Sequence, residues 1–189
     1  NDIWCTQCGS DSLNGQTPAT PVASLQTILS RYTLGPGDTV RVDAGYYALA
    51  SNIVVEARHG GSSTQHVHIA GAKGAAVLDR QSQANGARCL EIRGSDLSVE
   101  GFTCTGGQIG IFADASTCRS ASFEGNICRG NASFGLQVQG GSLSNGFFKI
   151  RHNLIIENGA GMALETESGS NGDLFQVVNN TVVVTNGAA

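Results

Sequence analysis

The chain has 189 residues, 26 of them Gly, with 40% hydrophobic and 14% charged residues and a formal net charge of −4. That is length and apolar content enough for one domain with its own core, which excludes an intrinsically disordered chain. Only Lys73 and Lys149 among the eleven basic residues are lysines, no basic cluster exists to grip phosphates, and no apolar run approaches the roughly 18 residues of a membrane span, so neither nucleic acid nor a bilayer is an expected partner.

From the amino end, Asn1 is not an initiator Met and no leader-like apolar stretch follows, as in a mature secreted protein or a piece of a longer one. Cys5 and Cys8 form a Cys-x-x-Cys pair. A zinc site needs a second ligand pair and a thioredoxin-type site needs a βαβ unit, and neither follows. With Cys89, Cys104, Cys118 and Cys128 the count is an even six, which favours disulfides in an oxidising compartment without fixing their connectivity. Leu25, Ile28, Leu29 and Tyr32 then fall at helical spacing behind Ser24, a good N-cap. Gly35-Pro-Gly-Asp38 turns the chain into a first strand, Thr39–Val42, with Ile53–Val55 and Val67–Ile69 as further strands.

Self-similarity dominates the remainder. Segments 122–131, 149–158 and 176–185 align, and their central residues Asn126, Asn153 and Asn180 are each 27 apart. An earlier copy begins at Ser98, and a weaker one at His68. A second motif recurs between the copies, with Gly110, Gly135 and Gly161 spaced 25 and 26 apart. Short β-branched pieces separated by Gly, Asn and Ser at such a period mean one coil per repeat, each burying its inward face only by stacking on its neighbours. Few leucines are present, which argues against a leucine-rich repeat. The expected fold class is all-β: a right-handed parallel β-helix, or solenoid, with a short N-terminal capping helix. Residues 1–34 are the entry segment and helix, and 35–189 are the coils of a single domain. No C-terminal cap is recognisable before Gly187-Ala-Ala189, as in a truncated chain.

In this fold like residues stack at about 4.8 Å. Leu97/Val99, Ala121/Phe123, Phe148/Ile150 and Phe175/Val177 should point inward, and Ser98, Ser122, Lys149 and Gln176 outward. Asn126, Asn153 and Asn180 form a structural ladder, Asn being tolerant of the left-handed backbone of a sharp turn. Cys104 and Cys128 stand one above the other, within disulfide reach.

Cys8-Gly-Ser-Asp-Ser-Leu-Asn-Gly-Gln-Thr-Pro-Ala-Thr-Pro21, Ala23-Ser-Leu-Gln26 and Gly35-Pro-Gly-Asp-Thr-Val-Arg-Val-Asp-Ala-Gly-Tyr-Tyr47 resemble the opening of the pectin-lyase-like right-handed parallel β-helix proteins, secreted bacterial relatives of alginate lyases, chondroitinase B and pectate lyases. The resemblance is close over residues 8–47 and loose to residue 187. It implies a secreted or cell-surface module that binds or acts on an acidic polysaccharide, by β-elimination if it is catalytic. The polygalacturonase signatures Asp-Asp and Gly-His-Gly are absent. The Lys and Arg that chondroitinase-B-like and alginate-lyase-like sites want on late coils have counterparts in Lys149 and Arg151, without the surrounding motif.

The outward column Glu100, Glu124, Arg151 is the candidate substrate-binding set, and Lys149, Arg151 and Glu124 are the candidate catalytic residues. Two carboxylates one coil apart could take a calcium ion or share a proton; no other cofactor is implied, and no metal site is assigned. His66 and His68 share a face but lack a third ligand. His59 sits in a loop with no chemistry assigned. Asn131-Ala-Ser133 fits a glycosylation pattern. Aromatic residues, the platforms sugar grooves display, are few: Trp4 lies near the terminus, and Tyr46 and Tyr47 follow the first strand. The competing reading is a structural or adhesive solenoid that self-associates head to tail through its terminal coil.

Overall fold

The computed structural model describes residues 1–140, 146–165 and 174–184. Its strands stack into three parallel sheets. The first holds β1 (Asp2–Cys5), β2 (Thr39–Val42), β5 (Val67–Gly71), β8 (Leu97–Glu100), β11 (Ser120–Glu124), β14 (Phe147–Arg151) and β17 (Leu174–Val178). The second holds β4 (Ile53–Val55), β7 (Arg88–Ile92), β10 (Ile109–Asp114), β13 (Phe134–Gln139) and β16 (Ala160–Leu164). The third holds β3 (Gly45–Ala48), β6 (Ala76–Asp79), β9 (Phe102–Thr105), β12 (Ile127–Arg129), β15 (Leu154–Ile156) and β18 (Thr181–Val183). Each sheet orders its strands coil by coil, so the chain is the expected parallel solenoid. β1 adds a strand to the first sheet ahead of Thr39–Val42, in register with β2.

The helix α1 (Leu25–Arg31) follows from its pattern: Leu25, Ile28 and Leu29 are buried, and the Ser24 hydroxyl accepts from the Thr27 N–H at 3.2 Å. Asp11 in turn accepts from the backbone N–H of Ala23 and of Ser24, both at 3.0 Å. The outer edge of β1 is already paired: the Trp4 N–H donates to Gly15 O at 2.7 Å, and the Val22 N–H donates to Trp4 O at 3.1 Å. The first sheet thus presents no open edge at this end.

Between the sheets runs one core, in which Phe102, Phe123 and Phe148 are fully buried. Leu97, Val99, Ala121, Ile150 and their neighbours point inward as expected. Val177 continues the inward column in register with Ile150 but is 45% exposed. It lies on the last strand of its sheet, where no described coil covers it. Residues 185–189, including Gly187–Ala189, lie outside the described residues.

Asn126, Asn153 and Asn180 are one above another. Asn153 Oδ1 accepts from the Asn126 N–H at 3.0 Å and from its Nδ2 at 3.2 Å, while Asn153 Nδ2 donates to Phe123 O and Asn180 Oδ1, both at 2.9 Å. The left-handed backbone belongs to the residue before each rung rather than to the rung itself: Gly125, His152 and Asn179 have φ of 63°, 56° and 53°, and Gly101, before Phe102 at the same corner one coil earlier, has φ of 73°. A second ladder stands at the next corner. Asn158 Oδ1 accepts from the Asn131 N–H at 3.0 Å and its Nδ2 at 2.8 Å, and Asn131 Oδ1 accepts from the Gly107 N–H at 3.1 Å. Asn131 is therefore a rung, 2% exposed, and its side chain is unavailable to a glycan. The recurring glycines mark close approach: a Cβ on Gly135 would lie 2.5 Å from Ile155 Cγ2.

Cys5, Cys8, Cys89, Cys104 and Cys128 carry free thiols. Cys104 and Cys128 are paired in register as expected. Contact with the Cys128 and Cys89 sulfurs, then burial, pushes the Cys104 thiol far above its ordinary range, so this stack acts as small apolar filling.

His59, placed by sequence in a featureless loop, is fully buried beneath the end of α1. Its Nδ1 accepts from the Leu34 N–H at 3.2 Å, and its Nε2 has no hydrogen-bond partner among the described residues. Burial, and after it the charge of Arg58, holds its pKa below the usual imidazole value, with Glu56 a smaller opposing influence. A lowered folded pKa means the unfolded chain binds this proton first as pH falls. Stability should therefore be insensitive to His59 above about pH 6.5 and fall below it by at most about 1.4 kcal/mol per pH unit. Denaturant melts between pH 7 and pH 5 on the native chain and on His59→Gln check this; an equal acid loss in both would refute it.

Candidate functional site

The pleat sends alternate residues of the first sheet to solvent, and parallel register lines them up in two columns. One reads Asp2, Thr39, His68, Ser98, Ser122, Lys149, Gln176; the other reads Trp4, Arg41, Ala70, Glu100, Glu124, Arg151, Val178. The middle of this face forms an open groove of about 610 Å³, floored by Ser98, Ser122, Glu100, Glu124, Lys149 and Arg151 and walled by Gly37, Thr39 and the Thr64–His68 stretch. The four sequence candidates Glu100, Glu124, Lys149 and Arg151 thus meet in one place. His66 and His68 join them there, a convergence the sequence reading did not draw.

Arg151 donates to Glu124 Oε2 at 2.7 Å, and His152 Nδ1 lies 3.4 Å from Glu124 Oε1. Both partners of the Arg–Glu pair are about one-third exposed, so solvent screens it and its stabilising value is small. Its effect is to aim the guanidinium along the groove. Arg151 Nε and Ser122 Oγ are buried beneath the groove floor and have no hydrogen-bond partner among the described residues. Lys149 Nζ lies 5.2 Å from the Phe147 ring centroid. Glu100 has no ion-pair partner among the described residues. A second hollow of about 470 Å³, with Lys73 and His152 at its margin, opens on the other side of Glu100 and Glu124, where Gly71, Gly101 and Gly125 carry no side chains.

A calcium ion takes roughly six to eight oxygen ligands. Glu124 is engaged by Arg151 and His152, and among the described residues no group of three or more His, Cys, Asp or Glu side chains is arranged to hold a metal. The Glu100–Glu124 pair does not fit calcium, and His66 with His68 gains no third ligand.

The outward face of the second sheet is spent on structure. Glu91 is 4% exposed and meets Arg93 at 2.6 Å and Arg88 at 3.0 Å, while Arg88 lies 3.5 Å over the Phe112 ring. Burial alone would raise the Glu91 pKa, but hydrogen bonds from Arg93 and the charge of Arg88 outweigh it and hold the carboxyl below its ordinary range. Tyr47 is buried and Tyr46 exposed on the third sheet, away from the groove.

The sequence pattern of the family described as "Right handed beta helix region" matches residues 36–182. The fold resembles that of an alginate lyase from Paenibacillus sp. str. FPU-7, with a TM-score of 0.64 and 20% identity over 95% of this chain and 57% of that one. It also resembles pectate lyase Pel9A, with a TM-score of 0.60 and 16% identity over 86% of this chain and 50% of that one. At such identities the likeness establishes the fold, and the chain spans about half the length of either enzyme. No curated protein matches the sequence. Among the described residues no helix is long and apolar enough to cross a membrane.

Proposed function

The chain belongs to the right-handed β-helix family, and from that premise we propose that the outward face of its first sheet binds an acidic polysaccharide outside the cell and cleaves it by β-elimination. One observation carries the reading: Lys149 and Arg151 line one open groove together with Glu100, Glu124, His66 and His68, so an amine and a guanidinium face the same space. The Arg151 guanidinium can meet a carboxylate with two parallel N–H donors, which suits an anionic polymer. The folds it resembles include an alginate lyase and a pectate lyase, which favours uronate polymers among such anions.

In this reading Arg151, aimed by Glu124, pairs with a uronate carboxylate and stabilises the charge that develops there. Lys149, as its neutral amine, takes the C5 proton and becomes the ammonium, the electron pair left behind forms the C4–C5 double bond, and the C4–O bond breaks. The departing oxygen receives a proton from the Lys149 ammonium or from water.

The competing head-to-tail fibre needs an acceptor edge on the first coil, and residues 15–22 already pair with the edge of β1. Alginate, pectate and chondroitin, each incubated with the whole chain and followed by ultraviolet absorbance, test the proposal. Release of unsaturated product from one of the three is the expected result; no absorbance and no binding with any of them would overturn it.

A further inference from the structure

We infer that the binding face runs past the groove to the N-terminal end of the solenoid, where Trp4 and Arg41 form a distal subsite for one more acidic sugar of the same polymer. The inference rests on the polysaccharide reading of the groove and adds to it a length requirement.

Its ground is the register of β1. Because β1 pairs with β2, Trp4 stands beside Arg41 in the same outward column as Glu100, Glu124 and Arg151. Four strand steps separate Trp4 from Glu124, or about 19 Å at the parallel spacing, a span several sugar rings long. Ala70 is the one residue of the column between Arg41 and Glu100, and its short side chain leaves the path between the two sites low. At the far end the groups suit an acidic sugar. Trp4 is half-buried, offering ring surface against which sugar C–H groups can pack. The Arg41 Cζ lies 5.5 Å from the Trp4 ring centroid, and its guanidinium can meet a carboxylate with two parallel N–H donors. Its ion-pair partner among the described residues, Asp2, is 3.6 Å from Arg41 Nε, and both side chains are about half exposed at 49% and 47%; that contact is weak enough for a ligand carboxylate to replace.

The subsite is also held in place before any ligand arrives. β1 is fixed on one edge by β2 and on the other by Gly15 and Val22, so the ring costs little to order on binding. The entry segment therefore does more than close the end of the core: it brings the chain's single Trp onto the binding face.

That single Trp makes the test direct. Alginate and galacturonate oligomers of two lengths, disaccharides and octasaccharides, are titrated into the whole chain, with calorimetry reporting binding and tryptophan emission reporting contact at Trp4. Octasaccharides should shift the emission and disaccharides should not. Trp4→Ala should weaken octasaccharide binding about tenfold and leave disaccharide binding unchanged, and Trp4→Phe should restore most of the loss. Arg41→Gln, which leaves β1 intact, should weaken octasaccharides in the same direction. Octasaccharide binding with unaltered emission overturns the distal subsite and leaves the groove reading standing. Binding of neither length by calorimetry overturns the groove reading and the subsite with it.

Discussion

Replacing Asn153 with Ala should lower the free energy of unfolding by about 4 kcal/mol. The side chain serves four hydrogen bonds at the corner between the first and third sheets: it accepts twice from Asn126 and donates to Phe123 O and Asn180 Oδ1. Ala leaves the Asn126 N–H and the Phe123 carbonyl without their partners in a place water does not reach, since Asn126 and Phe123 are both 0% exposed. A stranded buried group costs about 1–3 kcal/mol, and two are stranded here. Against a whole-domain stability of roughly 5–15 kcal/mol that is a large share. Gln176→Ala, on the outward face of the neighbouring strand β17, should change stability by no more than about 0.5 kcal/mol. Denaturant unfolding of the two variants beside the native chain makes the comparison, and a loss below about 1 kcal/mol for Asn153→Ala would show that the ladder does not hold the coils in register.

Asn153 was legible in the sequence because it repeats: a constant interval between Asn126, Asn153 and Asn180 can arise only where each coil returns to the same corner. The same interval separates Asn131 from Asn158, yet that ladder was not read, because its earlier position is Gly107 and Asn131 also fits a glycosylation pattern. The conformational role within the turn was read one residue late. An Asn that bonds both its neighbours keeps ordinary backbone angles, and the strain passes to Gly125 or His152 just before it. The column Glu100, Glu124, Arg151 was legible for the reason the ladder was. Its union with His66 and His68 was not, since β5 lies in the weakest copy of the repeat. Trp4 was beyond reach altogether. β1 precedes the helix and lies outside the period, so only tertiary pairing with β2 brings it to the binding face. For the cysteines the sequence offered only an even count, which carries no information on burial; inside a packed coil a thiol serves as a small apolar side chain.

Lys149→Ala should reduce turnover of the responsive polysaccharide by about 10²–10⁴-fold, the usual cost of losing a positioned general base. KM should stay within about threefold, because Arg151 and the remaining groove residues still hold the polymer. Stability should be unaffected: Lys149 projects outward between the inward-facing Phe148 and Ile150, both 0% exposed, so its removal opens no cavity. Arg151→Gln should behave differently. It removes the partner of Glu124 and of the uronate together, so KM should rise while turnover falls. A small primary amine added to Lys149→Ala supplies a base of the same chemistry to the space vacated, and should return part of the lost rate in proportion to its concentration, while doing nothing for Arg151→Gln. Two measurements decide the role. If Lys149→Ala keeps more than a tenth of native turnover, Lys149 is not the base. If its turnover collapses but the amine restores nothing and KM rises in step, the ammonium binds the polymer instead, and the proton at C5 must leave by way of another groove residue such as His68.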